Sequence, residues 1–147
     1  MNDQNRDIAL QLFRRVQEAF PNLRMEFDLE PEHVDLNVDI PTQDGLLFDV
    51  NLNLQNLDEL HLSAGSSFWL EWFPCSDEKV SQKYFDAVSG VLSGTYRILE
   101  HHRGRKVVKA QLQCPDGSDW KTIGTHACLH LPLPFKKKTT VLRNAQQ

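Results

Sequence analysis

The stretch 94-GTYRILEHHRGRKVVKAQLQCPDGSDWKTIG-124 is predicted to form three antiparallel strands joined by two hairpins. Pro115-Asp116-Gly117 and His102-Arg103-Gly104 have the composition of turns, since proline presets φ and glycine accepts a positive φ. Three-residue loops at both turns place Leu112 opposite Trp120 and Ile98 opposite Val108. The stretch therefore predicts a three-stranded meander.

These registers predict one apolar and one polar face for the meander. The apolar face would carry Tyr96, Ile98, Val108, Ala110, Leu112 and Trp120. The polar face would carry Thr95, Arg97, Lys109, Gln111, Gln113 and Lys121. A one-residue slip would exchange the faces, which favours three-residue loops over shorter ones. Three apolar residues remain on the polar face, where a partner or the C-terminal tail would cover them: Leu99, Val107 and Ile123.

Five shorter runs before the meander also alternate with period two, which is typical of strands with one buried face. The runs span residues 23–30, 34–40, 46–55, 60–64 and 68–73. Their connections are short enough for hairpins, so an antiparallel sheet with a dry and a wet face is expected.

Two segments have the periodicity of amphipathic helices. Residues 4–20 place an apolar side chain at every fourth position, and residues 77–92 carry a second apolar stripe after Ser76, a predicted cap. The order helix, five strands, helix, three or four strands predicts an α+β fold, with two helices packed on one face of an antiparallel meander sheet. We expect a single domain over residues 1–147, in which about 136–147 form a basic, polar and partly disordered tail, with the disorder at residues 144–147.

Composition limits the classes of function. The chain has 147 residues, a net charge of −4 and 40% hydrophobic residues, as a water-soluble domain does. This charge gives no general case for nucleic acid or for an anionic membrane as partner. No apolar run approaches the roughly 20 residues that cross a bilayer. Three cysteines fit a reducing compartment better than a disulfide framework, so we expect a cytoplasmic protein.

The wet face of the first sheet is the richest source of candidate chemistry. The predicted registers put Asp28 beside Asp35, Asn37 beside Asp49, and His61 beside Glu71. Acids placed in this way could bind a cation or a basic partner, or could raise one another's pKa for acid–base work. A polar face that only contacts solvent has the same pattern. The His61–Glu71 pair would therefore indicate a functional site only if a pocket surrounds it.

Aromatic residues are concentrated at the end of the first sheet, at Phe68, Trp69, Trp72 and Phe73. Because these residues have opposite parities, they cannot all lie on one face. Trp69 is predicted to lie on the wet side, beside Ser63. An exposed tryptophan at a rim often marks a partner site, whereas a loop could also cover it.

A possible metal set lies near the C-terminus. His126, Cys128 and His130 alternate and would point the same way from a strand, and imidazole and thiolate are zinc ligands. A fourth ligand could come from Cys114, His101 or His102. The spacing does not match a paired-ligand zinc motif, and such residues often only pack in the core.

Two further features have weaker functional interpretations. His101 to Arg105 form a basic hairpin tip, which together with Lys136 to Lys138 could hold a phosphate or an acidic partner, although exposed turns are commonly charged. Cys75 lies near the start of the second helix, where the helix dipole could activate its thiol.

No nucleophile elbow, phosphate loop or dinucleotide fingerprint occurs in the sequence, and no cofactor is predicted. We expect a non-catalytic protein that binds another protein or forms a homodimer. In size, charge and mixed helix–sheet character it is similar to small chaperones of bacterial secretion and to immunity proteins, although no motif carries this likeness. The alternatives are a small metal-dependent or acid–base enzyme with a site between sheet and helices, and a cup for a small apolar ligand.

Overall fold

The computed structural model describes residues 3–127 and 136–144 and confirms the predicted α+β fold. The helices are α1 (Asp3–Ala19) and α2 (Glu78–Ser93). The strands are β1 (Glu26–Asp28), β2 (Leu36–Ile40), β3 (Val50–Gln55), β4 (Glu59–Ala64), β5 (Phe68–Trp72), β6 (Arg97–Arg103), β7 (Lys106–Asp116), β8 (Asp119–Ala127) and β9 (Lys137–Leu142). In these residues no helix has both the length and the apolar character needed to span a bilayer.

The strands form two antiparallel sheets instead of one. The first sheet has the order β1-β2-β3-β4-β5 and the second has the order β8-β7-β6-β9. The α2 helix follows β5 in the chain, and the chain enters a separate sheet when it emerges from this helix. Contacts between β5 and β8 join the sheets, and the buried residues of both belong to one continuous core.

The predicted alternation of the first sheet is confirmed. Its dry face is formed by fully buried side chains of the central strands, such as Val38, Leu52 and Leu62. Both helices lie against this sheet, and each buries the apolar stripe that the sequence predicts. The opposite face of the sheet carries the polar side chains considered below.

Asp77 caps α2, and not Ser76 as predicted. Its carboxylate accepts hydrogen bonds from the backbone N–H groups of Lys79 at 2.8 Å and Val80 at 3.4 Å. These donors have no partner within the helix, so the cap stabilises its first turn. The predicted end at Gly94 is confirmed by its left-handed φ of 75°.

The hairpins of the second sheet have two-residue loops, so the predicted three-residue registers are wrong. Ile98 pairs with Leu112 instead of Val108, and Trp120 pairs with Pro115 instead of Leu112. Gly104 and Gly117 occupy the first loop position with φ of 60° and 62°, a conformation that favours glycine.

Two β-bulges explain why only part of the predicted division into a buried and an exposed face is observed in the second sheet. One lies opposite His101/His102 and the other at Leu112/Gln113. Ile98, Ala110 and Leu112 are buried as predicted. Beyond the second bulge the alternation changes face, and Trp120 lies beneath the Arg97 guanidinium at 4.3 Å instead of joining the apolar side.

The C-terminal segment is part of the fold. The stretch predicted as a tail contains β9, which pairs with β6. The expectation of disorder at Asn144 is wrong. This residue is 3% exposed because its amide donates to Leu92 O at 2.6 Å and accepts from Leu47 N at 3.0 Å. Residues 145–147 lie outside the described part of the chain.

Candidate functional site

A network of amides and carboxylates crosses the wet face of the first sheet. Asn51 donates to Asn37 at 2.9 Å and to Asp39 at 2.7 Å, and Asn53 donates to Asn51 at 2.7 Å. Gln55 continues the network by donating to Asn53 at 2.8 Å. The network satisfies polar groups at the centre of the sheet, where Asn53 is 7% exposed.

Two of the three predicted carboxylate pairings on this face are wrong. Asp28 lies opposite Asn37 instead of Asp35, and Asn37 lies opposite Asn53 instead of Asp49. The connection before β3 is longer than predicted, because it includes the buried Phe48 and ends only at Val50.

The third predicted pair, His61 with Glu71, is confirmed as a cross-strand pair of β4 and β5. His61 Nε2 lies 3.6 Å from Glu71 Oε2 and 3.1 Å from Glu59 Oε2. One ligand atom from each of the three residues falls within 4.8 Å of the others. Two carboxylates and an imidazole therefore meet on the edge strand and its neighbour.

The hydrogen bonds of Glu59 favour the ionised form of its carboxylate. Its carboxylate accepts a hydrogen bond from the Asn56 amide at 2.9 Å and contacts the His61 ring. The bond from Asn56, followed by the one from His61, lowers the pKa of Glu59. Glu59 is thus ionised at neutral pH and carries negative charge beside the imidazole.

Trp69 lies against the imidazole of this cluster. It lies opposite Ser63, as predicted, and its indole stacks on the His61 ring with a centroid distance of 5.4 Å and an angle of 11°. The His126 ring contacts Trp69 from β8 at 4.9 Å. Despite these two contacts, Trp69 is 41% exposed, whereas His61 beneath it is 7% exposed.

The helix layer supports the cluster from the dry face. The Tyr84 hydroxyl of α2 donates to the backbone carbonyl of His61 at 2.7 Å. Trp72 packs edge-on against the Tyr84 ring at 5.4 Å, and burial raises the pKa of Tyr84. Because Tyr84 is fully buried, it fixes the backbone of β4 at His61.

Of the predicted metal set, the structure places only His126 near this cluster, where it contacts Trp69. Cys128 and His130 lie outside the described residues. Two of the proposed fourth ligands have hydrogen bonds elsewhere: His101 contacts Gln111 at 2.7 Å and His102 contacts Thr140 at 2.8 Å.

The predicted apolar patch lies on the second sheet, whereas Trp69 belongs to the first. Leu99 pairs with Val141, an exposed residue of β9. Val107 pairs with His102, and Ile123 lies at the β8 bulge with 43% of its surface exposed. The structure therefore does not unite these residues with Trp69 in one strand pair.

Sequence reasoning missed two residues at this end of the first sheet. Glu59 was assigned to a loop, although it continues the odd-numbered alternation of His61. Leu57 is 50% exposed with a φ of 73°, and Phe73, one of the four aromatic residues noted in the sequence, directly follows β5 and is 56% exposed. A left-handed leucine is costly and cannot be recognised from composition, because asparagine and glycine are the usual residues there.

The hypothesis of a reactive Cys75 is contradicted. The side chain is 1% exposed, and its sulfur lies 3.8 Å from the carbonyl of Asn5. Burial raises the pKa of the Cys75 thiol, and the charge of Asp58 adds to this effect. Nucleophilic cysteines need the opposite environment.

No protein-family model, curated protein or solved structure matches this chain. Its function therefore has to be inferred from the chemistry of the cluster. Glu59, His61 and Glu71 offer the oxygen and nitrogen ligands that divalent metals accept. The same carboxylates, with the indole of Trp69 beside them, also offer a place for a lysine or arginine side chain.

Proposed function

We propose that this chain is a non-catalytic protein-binding module and that its partner binds at the β4–β5 surface, defined here as Glu59, His61, Trp69, Glu71 and Phe73. The observation that carries the proposal is Trp69, which is 41% exposed although its indole contacts two histidine rings. An aromatic side chain that is ordered before binding loses little conformational entropy on binding.

The charges beside Trp69 indicate which kind of partner residue could bind there. Glu59 and Glu71 flank His61, and both carboxylates are accessible, with 24% and 41% of their side chains exposed. An arginine or lysine of the partner could pack against the exposed part of the indole and donate to a carboxylate. We therefore expect a basic segment, from another protein or from a second copy of this chain.

The proposal predicts that Trp69→Ala removes binding without unfolding the protein. Tryptophan hot spots contribute about 2 kcal/mol or more, so partner affinity should fall by at least about thirtyfold. Partners are captured from a lysate of the source organism, and one captured protein is then titrated by calorimetry against each purified variant. The melting temperature of each variant is measured in parallel.

Two variants serve as controls for this experiment. Trp69→Phe keeps an aromatic face and should retain most of the affinity, whereas Trp120→Ala removes an indole from the second sheet and should leave affinity unchanged. Equal affinity for the wild type and Trp69→Ala, measured with folded protein, would contradict the proposal. If the interaction is with a second copy, the same variants are compared by sedimentation equilibrium.

The second candidate function is a metal-dependent activity, which the convergence of Glu59, His61 and Glu71 favours. Three protein ligands that leave coordination positions open are characteristic of catalytic metal sites. In this alternative Trp69 would shield the ligands from water on one side.

A titration with zinc and with manganese distinguishes the two candidates. The enzyme alternative predicts binding of one metal ion per chain, weakened about tenfold or more by Glu71→Gln, because a lost ligand costs at least that much affinity. Asp39→Asn, elsewhere on the same face, is the control for charge. Absence of stoichiometric binding in the wild type would remove the metal-dependent alternative and leave the binding module.

We further propose a reducing, cytoplasmic location for the module. The three cysteines favour this assignment, and the two in described positions, Cys75 and Cys114, are both free thiols. The proposal includes no cofactor, nucleic acid or membrane as a binding partner.

A further inference from the structure

Charge is distributed very unevenly along this chain. Residues 1–95 carry 6 Lys and Arg against 17 Asp and Glu, whereas residues 96–147 carry 10 against 3. All of these charged residues lie within the described ranges. The net charge of −4 is therefore the sum of two opposite contributions. The first part of the chain, which forms the first sheet and both helices, is strongly acidic, and the second sheet is basic.

The second sheet joins two basic segments that are far apart in sequence. The pairing of β6 with β9 sets Arg103 opposite Lys137 and His102 opposite Lys138. The Gly104 N–H also contacts the carbonyl of Lys136 at 3.4 Å. The basic hairpin tip and the basic stretch at the start of β9 thus form one surface, which the sequence alone shows only as two separate clusters.

This surface contains a cleft of about 280 Å³. The lining residues are His101, His102, Arg103, Val108, Lys109, Lys137, Lys138 and Thr139. No carboxylate is among them, and in residues 3–127 and 136–144 no ion pair within 4.0 Å involves Arg103, Lys109, Lys137 or Lys138. Four cationic side chains therefore line one concavity that has no carboxylate among its lining residues.

We infer that this basic cleft binds an acidic segment of a partner protein. An anionic ligand would relieve the repulsion among the cations and form charge-assisted hydrogen bonds with them. Long nucleic acids fit less well, because the acidic remainder of the chain would repel them and the lining offers no Phe, Tyr or Trp for base stacking.

The open edge of β9 suggests how such a segment binds. β9 is the last strand of its sheet in the described part of the chain, so its outer backbone groups face no described strand. Lysines on an edge strand discourage pairing with neutral or basic strands, but they complement an acidic one. Successive side chains of an extended peptide point to opposite faces, as those of Lys137 and Lys138 do, so a carboxylate on either face of a peptide paired with β9 would lie near one of these lysines.

The inference is tested by fluorescence anisotropy with a labelled peptide that carries glutamate at alternate positions. We expect saturable binding that weakens about tenfold when salt rises from about 50 to about 200 mM. A peptide with glutamine in place of glutamate should not bind. A single-stranded oligonucleotide of equal charge should bind more weakly than the acidic peptide.

The decisive variant is Lys137→Glu combined with Lys138→Glu, which should lower affinity for the peptide by about a hundredfold. Lys79→Glu with Lys83→Glu changes the net charge equally on exposed positions of α2 and should have less than about a twofold effect. Lys109→Gln, a milder change on β7, reports on the same cleft if the double variant fails to fold. Trp69→Ala should leave peptide binding unchanged, so this inference and the β4–β5 surface are tested separately.

Three results would overturn the inference. Equal losses of peptide affinity in the two double variants would mean that binding depends only on the net charge of the protein and not on the cleft. Tighter binding of the oligonucleotide than of the peptide would assign the cleft to nucleic acid. If the peptide does not bind and the change at Lys137 and Lys138 converts an oligomer into a monomer, the occupant is a second copy of this chain.

Discussion

Leu62→Ala is expected to lower the free energy of unfolding by about 3 kcal/mol, because it leaves a cavity in a core that closes poorly around lost methyl groups. Leu62 lies on β4, at the centre of the dry face, where it pairs with Leu52 on one side and Leu70 on the other. Its side chain has no exposed surface. Small domains have only about 5–15 kcal/mol of stability, so this single change removes a large fraction of it.

The matched control is Leu47→Ala, which removes the same atoms from a side chain that is 66% exposed. Its effect should be below about 0.5 kcal/mol. Urea unfolding followed by circular dichroism measures both variants. Similar stabilities for the two would mean that the face assigned to the core is not buried.

Gly90→Ala is expected to destabilise the protein by about 1–3 kcal/mol, although alanine is the better helix former. A methyl group at this position would lie 2.3 Å from Cγ of Tyr96. The ring cannot move away easily, because the Tyr96 N–H donates to the Gly90 carbonyl at 2.8 Å. Steric overlap should therefore exceed the gain of about 1 kcal/mol in helix propensity.

The cause is tested with a double-mutant cycle. In a Tyr96→Ala background the obstructing ring is gone, and Gly90→Ala should become neutral or stabilising. We expect a coupling energy of about 2 kcal/mol between the two positions. Additive effects would contradict a direct clash between the helix and Tyr96.

The buried face of the first sheet was predicted correctly, because alternating apolar residues mark the side of each central strand that faces the core. Alternation identified the dry side at Leu52 and Leu62, and a short turn between β4 and β5 fixed the pairing of His61 with Glu71. Loop length determined the errors in register. The connection before β3 contains the buried Phe48, and sequence patterns do not distinguish such a residue from one in a strand.

The second sheet was predicted less well because bulges have no reliable signature in a single sequence. Each bulge shifts the alternation by one residue, so Trp120 packs under Arg97 instead of facing the core. The separation into two sheets and the pairing of β9 with β6 depend on contacts between distant segments. Local periodicity contains no information about such contacts.

Three of the five residues of the β4–β5 surface could be predicted in the same way. His61, Glu71 and the outward position of Trp69 follow from parity and one short turn. The contact of Trp69 with His126, beside its stacking on His61, could not be predicted, because His126 belongs to the other sheet. Glu59 was missed because the end of a strand is harder to locate than its centre.

Site-specific photocrosslinking at the β4–β5 surface tests the central claim most directly. A photoreactive phenylalanine analogue replaces Trp69 in one variant and the more exposed Leu47 in another, and the crosslinked products are identified by mass spectrometry. We predict one dominant protein, foreign or a second copy, crosslinked from position 69 and absent from position 47. Crosslinking from position 47 alone, or the same set of products from both positions, would contradict a partner site at Trp69.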